Sequence, residues 1–500
     1  MNMKRKTGAL LVLIMLAAFS VFAEDAPLYR IASVNYSIKG QTREYALSQQ
    51  VEIDRTTVFS GKQSIDDYIA YITTQLKNQR VFESVFVNAA YSDAGTDGVI
   101  PVTLVIDSVD TWNLVVVPYP KYDSNSGFMF KLKLKDFNFF GSMQPLTFDV
   151  IYQNDENFVT HFGSNIDFKI PFMALDRDMV WNVSSSFDFP LNSVPSFALS
   201  TGLECLFPVF AANELHVGFT QGYSINKRDS NENLYIGDEH FATETLYANL
   251  PILLATFDKI GKLYWTPSAN VSGNIAWDGI QNDDLKGPDA TLSNALSVGQ
   301  VDWIGNFRKG VNISLSNSWN WDFSSNELAP KITLTAQEYT PLEDVAGIYA
   351  QLTGFTYLDG STTNTVGATL RGIRDTRIDT DTAITLNIDM PVKVLYLDFS
   401  KIDALKWARI LSFEMHLSPF FDMALTHDLK TGRYYALSDG WYAGGLEMIV
   451  YPLKMRSLYA RASMGFDIPE LINNNFDIGG KAVRDGASIY DIFVGIGLLY

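Results

Sequence analysis

The chain has a single cysteine, Cys205, in 500 residues, so no internal disulfide can hold it together. Positive charge is also scarce, with 38 Lys and Arg against 56 Asp and Glu and a formal net charge of -18. That balance argues against nucleic acid as a partner, because phosphate binding needs clustered cations that release counterions. Charged residues of both signs make up only 19% while aromatics reach 13%, which excludes a disordered chain and is unlike a charged soluble enzyme. The five histidines (His161, His216, His240, His416 and His427) show no metal-ligand spacing. No G-x-S-x-G nucleophile motif occurs either. Cys205 alternates in step with Leu203 and Phe207, so it reads as lipid-facing packing and not as a nucleophile. The expectation is no enzyme, no catalytic residue, no metal and no cofactor. After residue 23 the chain also lacks any apolar run of the ~18 residues that a spanning helix needs.

What is there starts with a basic tripeptide, Lys4, Arg5 and Lys6, an apolar run from Gly8 to Phe22 and the small residue Ala23. This predicts a secretory signal peptide over 1–23, cleaved after Ala23. No cysteine lies near the cut, so a lipoprotein is not expected. An exported chain this rich in aromatics is either soluble or a membrane protein that crosses with strands.

Residues 24–110 read as a small α+β domain. Tyr29 to Ile38 alternates, with Ile31, Val34, Tyr36 and Ile38 among its apolar positions, and Arg43 to Ile53 is a short helical candidate. Ser64 is the expected N-cap of a second helix, with Asp66 and Asp67 favourable in its first turn. Ile65, Tyr68, Ile69, Ile72 and Leu76 recur at helical spacing and predict one buried stripe. Two strands follow, Phe82 to Ala90 and Val99 to Ile106, joined by a turn-rich stretch from Ser92 to Gly98.

The stretch 111–126 contains Pro118-Tyr119-Pro120 and reads as a linker. From 127 to 500, strands of period two dominate. In Val311 to Phe323, Val311, Ile313, Leu315, Trp319, Trp321 and Phe323 face one way, and Asn312, Ser314, Ser316, Ser318, Asn320 and Asp322 the other. Trp181 to Phe189 repeats the pattern, and Phe128, Phe130, Leu132 and Leu134 oppose Lys131, Lys133 and Lys135. Strands of up to about a dozen residues suit a tilted membrane strand, which needs roughly 9–11. Trp and Tyr near strand ends suit an interfacial girdle, and the acidic stretches Asn226 to Asp238 and Asp278 to Asp289 suit exterior loops. These features favour a transmembrane barrel of about sixteen antiparallel strands over a soluble sandwich.

The order β-α-α-β-β in residues 24–110 resembles one polypeptide-transport-associated (POTRA) domain. Gly495, Leu498 and Tyr500 match the spacing of the carboxyl-terminal signal of outer-membrane barrels, although Phe493 stands where that signal usually has a polar residue. Asp136-Phe137-Asn138-Phe139-Phe140-Gly141 resembles the turn after a first barrel strand, Leu370-Arg371-Gly372-Ile373 resembles a V-R-G-F loop motif, and Phe420-Phe421-Asp422 resembles a later F-x-D. A single POTRA-like domain followed by such a barrel is similar to the superfamily of bacterial surface antigens that contains BamA, TamA and the two-partner secretion transporters, in a variant with one POTRA domain.

The resemblance implies that the loop arginine reaches into the lumen and pairs with wall carboxylates, and strand parity agrees. If Ile384, Leu386, Ile388 and Met390 face lipid, Asn387 and Asp389 face the lumen; if Leu411, Phe413, Met415 and Leu417 face lipid, Glu414, His416 and Asp422 point inward. The expected latch is therefore Arg371 and Gly372 with Asp422. Asn387 stands where the assembly proteins carry a second acid, so Asp389 or Glu447 would substitute. The expected barrel seam joins a first strand from about Gly127 to Lys135 (Phe130, Lys131, Lys133) to the last run, Tyr490 to Tyr500 (Ile492, Gly495, Gly497, Tyr500).

The function implied is an outer-membrane factor that inserts or translocates polypeptides, taking the client as an added strand on the periplasmic POTRA-like domain and passing it to the seam. Partners implied are outer-membrane lipid, unfolded or secreted polypeptide clients, and periplasmic or lipoprotein accessory subunits. The alternative is a porin whose lumen is lined by residues such as Lys131, Lys133 and Asp188.

Overall fold

The computed structural model describes residues 27–498, apart from 80, 97, 155–158, 192–194, 211–212, 226–239, 277–278, 281–284, 361 and 455–457. The expected signal peptide, the exterior loop from Asn226 to Asp238 and Tyr500 lie outside the described residues. The chain separates into two compact units, Met1–Asn113 with Phe137–Met143, and Leu114–Asp136 with Gln144–Tyr500.

The first unit runs β1 (Leu28–Lys39), α1 (Glu44–Gln50), β2 (Val58–Ser60), α2 (Lys62–Asn78), β3 (Phe82–Tyr91) and β4 (Val99–Asp110). Its sheet has the order β2-β1-β4-β3, with β1 parallel to β4 and β3 antiparallel to it. The alternation of β1 and the helical stripe of α2 meet in one core, where Ile31, Ile65, Ile72, Leu76, Leu104 and Ile106 are buried. Removing each such side chain from water contributes about 1.5–3 kcal/mol.

One local expectation changes, and one strand was not expected. Helix α2 starts before Ser64, because Gly61 takes the N-cap position at φ 80 and no side chain caps the helix. Only glycine adopts that conformation without steric penalty. Strand β2, at three residues, is too short to show a period.

The turn Phe137–Met143 belongs to this unit. Asn138 is buried, donating through Nδ2 to Thr42 Oγ1 at 2.6 Å and accepting from the Met143 amide at 2.8 Å. Asp110 collects the amides of Gln41 (2.7 Å) and Thr42 (2.9 Å) and the Thr42 hydroxyl (2.8 Å).

The second unit is a closed antiparallel barrel of eighteen strands, not sixteen. Two strands are interrupted without leaving the wall. His240–Asn249 and Ile252–Phe257 both pair with Gly261–Ile275, and Thr382–Asp389 and Val392–Leu397 both pair with Phe413–Asp428. Pro251 and Pro391 sit in the two gaps, where a residue without an N–H breaks the ladder. The count rises for two reasons. The stretch expected as a linker contains a strand, β5 (Leu114–Asp123). Several hairpins at one end are also tight, such as Leu175-Asp176 with both residues at positive φ and Gly305-Asn306 between Asp289–Ile304 and Phe307–Asp322. Two-residue turns of this kind match the twist of the paired strands.

The apolar faces of the alternating strands are exposed. Ile313, Leu315, Trp319 and Trp321 are exposed, as are Phe128, Phe130 and Leu132. Lys131 points the other way and meets Asp149 at 3.7 Å. An outer surface of this apolar content is suited to lipid.

Candidate functional site

Between Ala346–Tyr357 and Thr382–Asp389 the chain makes a long excursion that returns into the barrel. Its apolar residues Val366, Leu370, Ile373 and Ile378 are buried against Ala383, Ala424, Trp441 and Ala443 of the wall. These wall positions share the inward parity of Asp389, Asp422 and Glu447, and three of them are alanines. Small side chains leave the depth that Leu370 and Ile373 fill.

Arg371 lies at the centre of this packing. Its Nε and Nη2 donate to the two oxygens of Asp422 at 3.0 and 2.7 Å, its backbone N–H donates to Asp422 Oδ2 at 2.8 Å, and Nη1 donates to Asp389 Oδ1 at 2.5 Å. The guanidinium also lies over the Phe420 ring, 3.9 Å from its centroid. Asp422 is 0% exposed, so its charge depends on this fork. Of the two substitutes for a second acid, Asp389 makes the contact. Glu447 meets Arg461 at 3.0 Å instead. Asn387 holds the loop in another way, donating through Nδ2 to the Thr369 carbonyl at 2.7 Å.

Gly372 and Gly465 allow the loop to reach the wall. Gly372 has φ 109, and a Cβ there would lie 2.5 Å from the Phe466 nitrogen. A Cβ on Gly465 would lie 2.4 Å from the Arg371 carbonyl oxygen. Both glycines are required by one backbone-to-backbone approach.

A second cation escaped the sequence reading. Arg377, 4% exposed, bonds Asp467 at 2.9 Å and Asp485 at 2.7 Å and lies 5.1 Å from the Trp441 ring centroid. Inward parity within Leu458–Asp467 could have offered Asp467. Nothing local marks Asp485, which stands in the following loop. Beside the latch, a cavity of about 280 Å³ is lined by Arg308, Tyr339, Tyr349, Arg371, Asp389 and Arg461, among others.

The seam differs from the expected one. The first strand is β5, and Gly127–Asp136 is the second, so Phe130, Lys131 and Lys133 lie one strand away from the closure. Among the described residues, β5 meets the last strand, Tyr490–Leu498, at two register pairs, Phe493 with Asp123 and Val494 with Tyr122. The flanking ladders have ten pairs, between β5 and Gly127–Asp136, and nine, between Leu458–Asp467 and the last strand. The Ser124 N–H also donates a hydrogen bond to the Ile492 carbonyl at 3.3 Å, and its hydroxyl donates to Asp491.

The prolines explain where pairing stops. Because Ser124 N–H points at the last strand, the alternation of an antiparallel strand turns positions 122, 120 and 118 to the same edge. Two of these are Pro120 and Pro118, which carry no N–H. The ladder to Gly127–Asp136 runs unbroken past both, so the missing donors face the seam alone, an edge position that tolerates proline. Gly495 and Gly497 lie beyond the two seam pairs and serve a different need. A Cβ on Gly497 would collide with the Tyr459 ring at 2.1 Å, and one on Gly495 would lie 2.9 Å from the Phe493 ring.

No protein-family model matches this chain, and no curated protein matches it. Among solved structures, CdiB from Acinetobacter baumannii is similar over 94% of this chain and 74% of its own, at 12% identity and a TM-score of 0.52. BamA from Haemophilus ducreyi lacking POTRA domains 1-3 matches over 93% of this chain and 84% of its own, at 11% identity and a TM-score of 0.44. The first likeness shows the fold alone, a small α/β sheet domain with a large β-barrel.

Proposed function

We propose that this protein sits in the bacterial outer membrane and guides other polypeptides into or across it, with the POTRA-like unit in the periplasm taking the client as an added strand. The unit offers free sheet edges for this, along β3 and along β1 beyond the three residues that β2 covers. The barrel then parts between β5 and the last strand, while the Arg371 latch keeps the loop seated in the lumen. No step in this scheme requires catalytic chemistry, and accessory subunits would act through the POTRA-like unit.

The observation that carries the reading is the two-pair seam. A barrel that only had to stay closed gains from a full ladder, since each hydrogen bond contributes about 0.5–1.5 kcal/mol. A diffusion pore also has no use for a loop held in its lumen by two ion-paired arginines.

Replacing Tyr122 and Val494 by cysteine, with Cys205→Ser, tests it directly. The two residues are directly opposed, and Cα atoms in such pairs stand about 4.5–5.5 Å apart, within disulfide reach. The oxidised barrel should fold and fail to deliver clients, and reduction should restore delivery. Full activity of the locked form would rule out the seam. Depleting the protein and recording which surface proteins vanish identifies the client: loss of many barrels means assembly, and loss of one secreted species means a dedicated transporter.

A further inference from the structure

Between Val392–Leu397 and Phe413–Asp428 lies a segment with two 3-10 helices, Phe399–Lys401 and Asp403–Leu411. It is fixed to the barrel rim. The Phe399 amide donates to Ser412 Oγ at 3.1 Å, Ser412 N–H donates to the Arg409 carbonyl at 3.3 Å, and the Leu453 amide donates to the Ser412 carbonyl at 2.8 Å. A 3-10 helix repeats every three residues, so side chains fall into three rows. One row is Ala404, Trp407 and Ile410, with Trp407 78% exposed and Ile410 54% exposed. The next contains Lys406 and Arg409, both exposed. The third places Ala408 against the protein, buried, and ends in the exposed Leu411.

A soluble rim loop gains nothing by holding a tryptophan, an isoleucine and a leucine in water. Two observations indicate what covers them. In the preceding strand Leu395 is exposed opposite the outward-facing Met415, with Val394 exposed beside it at a bulge, so the apolar row continues the lipid-facing belt. The segment from Phe399 to Leu411 also holds three cations, Lys401, Lys406 and Arg409, against the single acid Asp403, in a chain whose net charge is -18. Lys454 adds a fourth cation near Asp398, whose carboxyl is held below its usual range chiefly by the Ser400 hydroxyl.

We propose that residues 399–411 lie flat in the headgroup layer at this end of the barrel. Trp407, Ile410 and Leu411 enter the acyl boundary, and Lys401, Lys406 and Arg409 bind anionic headgroups. The segment is thus a lipid-binding surface that fixes the height of the barrel in the leaflet and recruits acidic phospholipid beside it. The proposal rests on the barrel spanning a membrane, which the control position below reports separately.

The test uses full-length protein with Cys205→Ser, a nitroxide at Ile410→Cys and, as control, at Val394→Cys, in vesicles of phosphatidylcholine with or without phosphatidylglycerol. The label at 410 should be more accessible to oxygen than to a water-soluble nickel chelate, and phosphatidylglycerol should lower its nickel accessibility further. Replacing Lys401, Lys406 and Arg409 by Gln should abolish that lipid dependence. A water-like signal at 410 beside a lipid-like signal at 394 would overturn the proposal, as would protection of 410 from both reagents, the mark of a protein cover. Water-like signals at both positions would remove the membrane premise along with it.

Discussion

The amide of Ser124 donates to the carbonyl of Ile492 at 3.3 Å, and this one bond sets the phase of the first strand against the last. It turns Pro120 and Pro118 to the seam, opposite the positions of Ile496 and Leu498 if the register continues past Val494 and Tyr122. The missing N–H groups at both positions take two donors away from any further zipping of the seam.

Replacing both prolines by valine restores two donors at that edge. The ladder should lengthen, strengthening closure by about 1–3 kcal/mol for two hydrogen bonds, and client delivery should slow. Hydrogen exchange of the amides at 118, 120 and 496 reads the effect. Unprotected new amides at 118 and 120, with unchanged protection at 496, would show that something other than the prolines limits the seam.

Removing the latch arginine leaves Asp422 charged and buried. Arg371→Ala should destabilise the barrel by about 3–5 kcal/mol, with Arg371→Lys intermediate because it loses the two-pronged contact. Adding Asp422→Asn to Arg371→Ala should recover part of the loss, since the orphaned charge is gone. Thermal unfolding in detergent followed by tryptophan fluorescence measures all three, and equal stability of wild type and Arg371→Ala would refute the latch.

Gly465→Ala places a methyl 2.4 Å from the Arg371 carbonyl oxygen, where no side chain can move aside. The expected penalty is about 1–3 kcal/mol for overpacking, expressed as release of the loop from the wall. Protease cleavage within residues 364–381 should rise. Gly432→Ala, with open space around its Cβ, has φ 70 and is a control for backbone strain alone.

In the first unit, burial pushes the Asp54 carboxyl up, but bonds from the hydroxyls of Thr57 (2.5 Å) and Thr56 (2.7 Å) and from both amides outweigh it and hold the pKa down to about 2. A folded value below the unfolded one of about 3.9 means stabilisation that is complete above about pH 4 and lost as pH falls toward 2. Exchange protection of the Thr56 and Thr57 amides should therefore fall across that window and be flat in Asp54→Asn. A fall in protection centred above pH 5 would contradict this assignment.

The barrel wall was legible because alternation is a local property. A strand of period two declares its outer face without reference to its neighbours, and that parity placed Asp389 and Asp422 on the lumen side before any contact was known. The buried stripe of α2 was readable for the same reason, at period 3.6. Pairing is not local. Pro118 and Pro120 resemble a linker until a neighbour on one side only is supplied, and then they mark an edge strand. Glu447 was a reasonable partner for Arg371 by parity, yet strand register brings it to Arg461. Arg377 finds Asp467 and Asp485 about a hundred residues away because the loop folds back onto the wall. Composition and period determined what each strand shows to lipid and to the lumen. Which strands meet, how many close the barrel and where the seam stops depend on register between distant segments, and only the tertiary structure decided them.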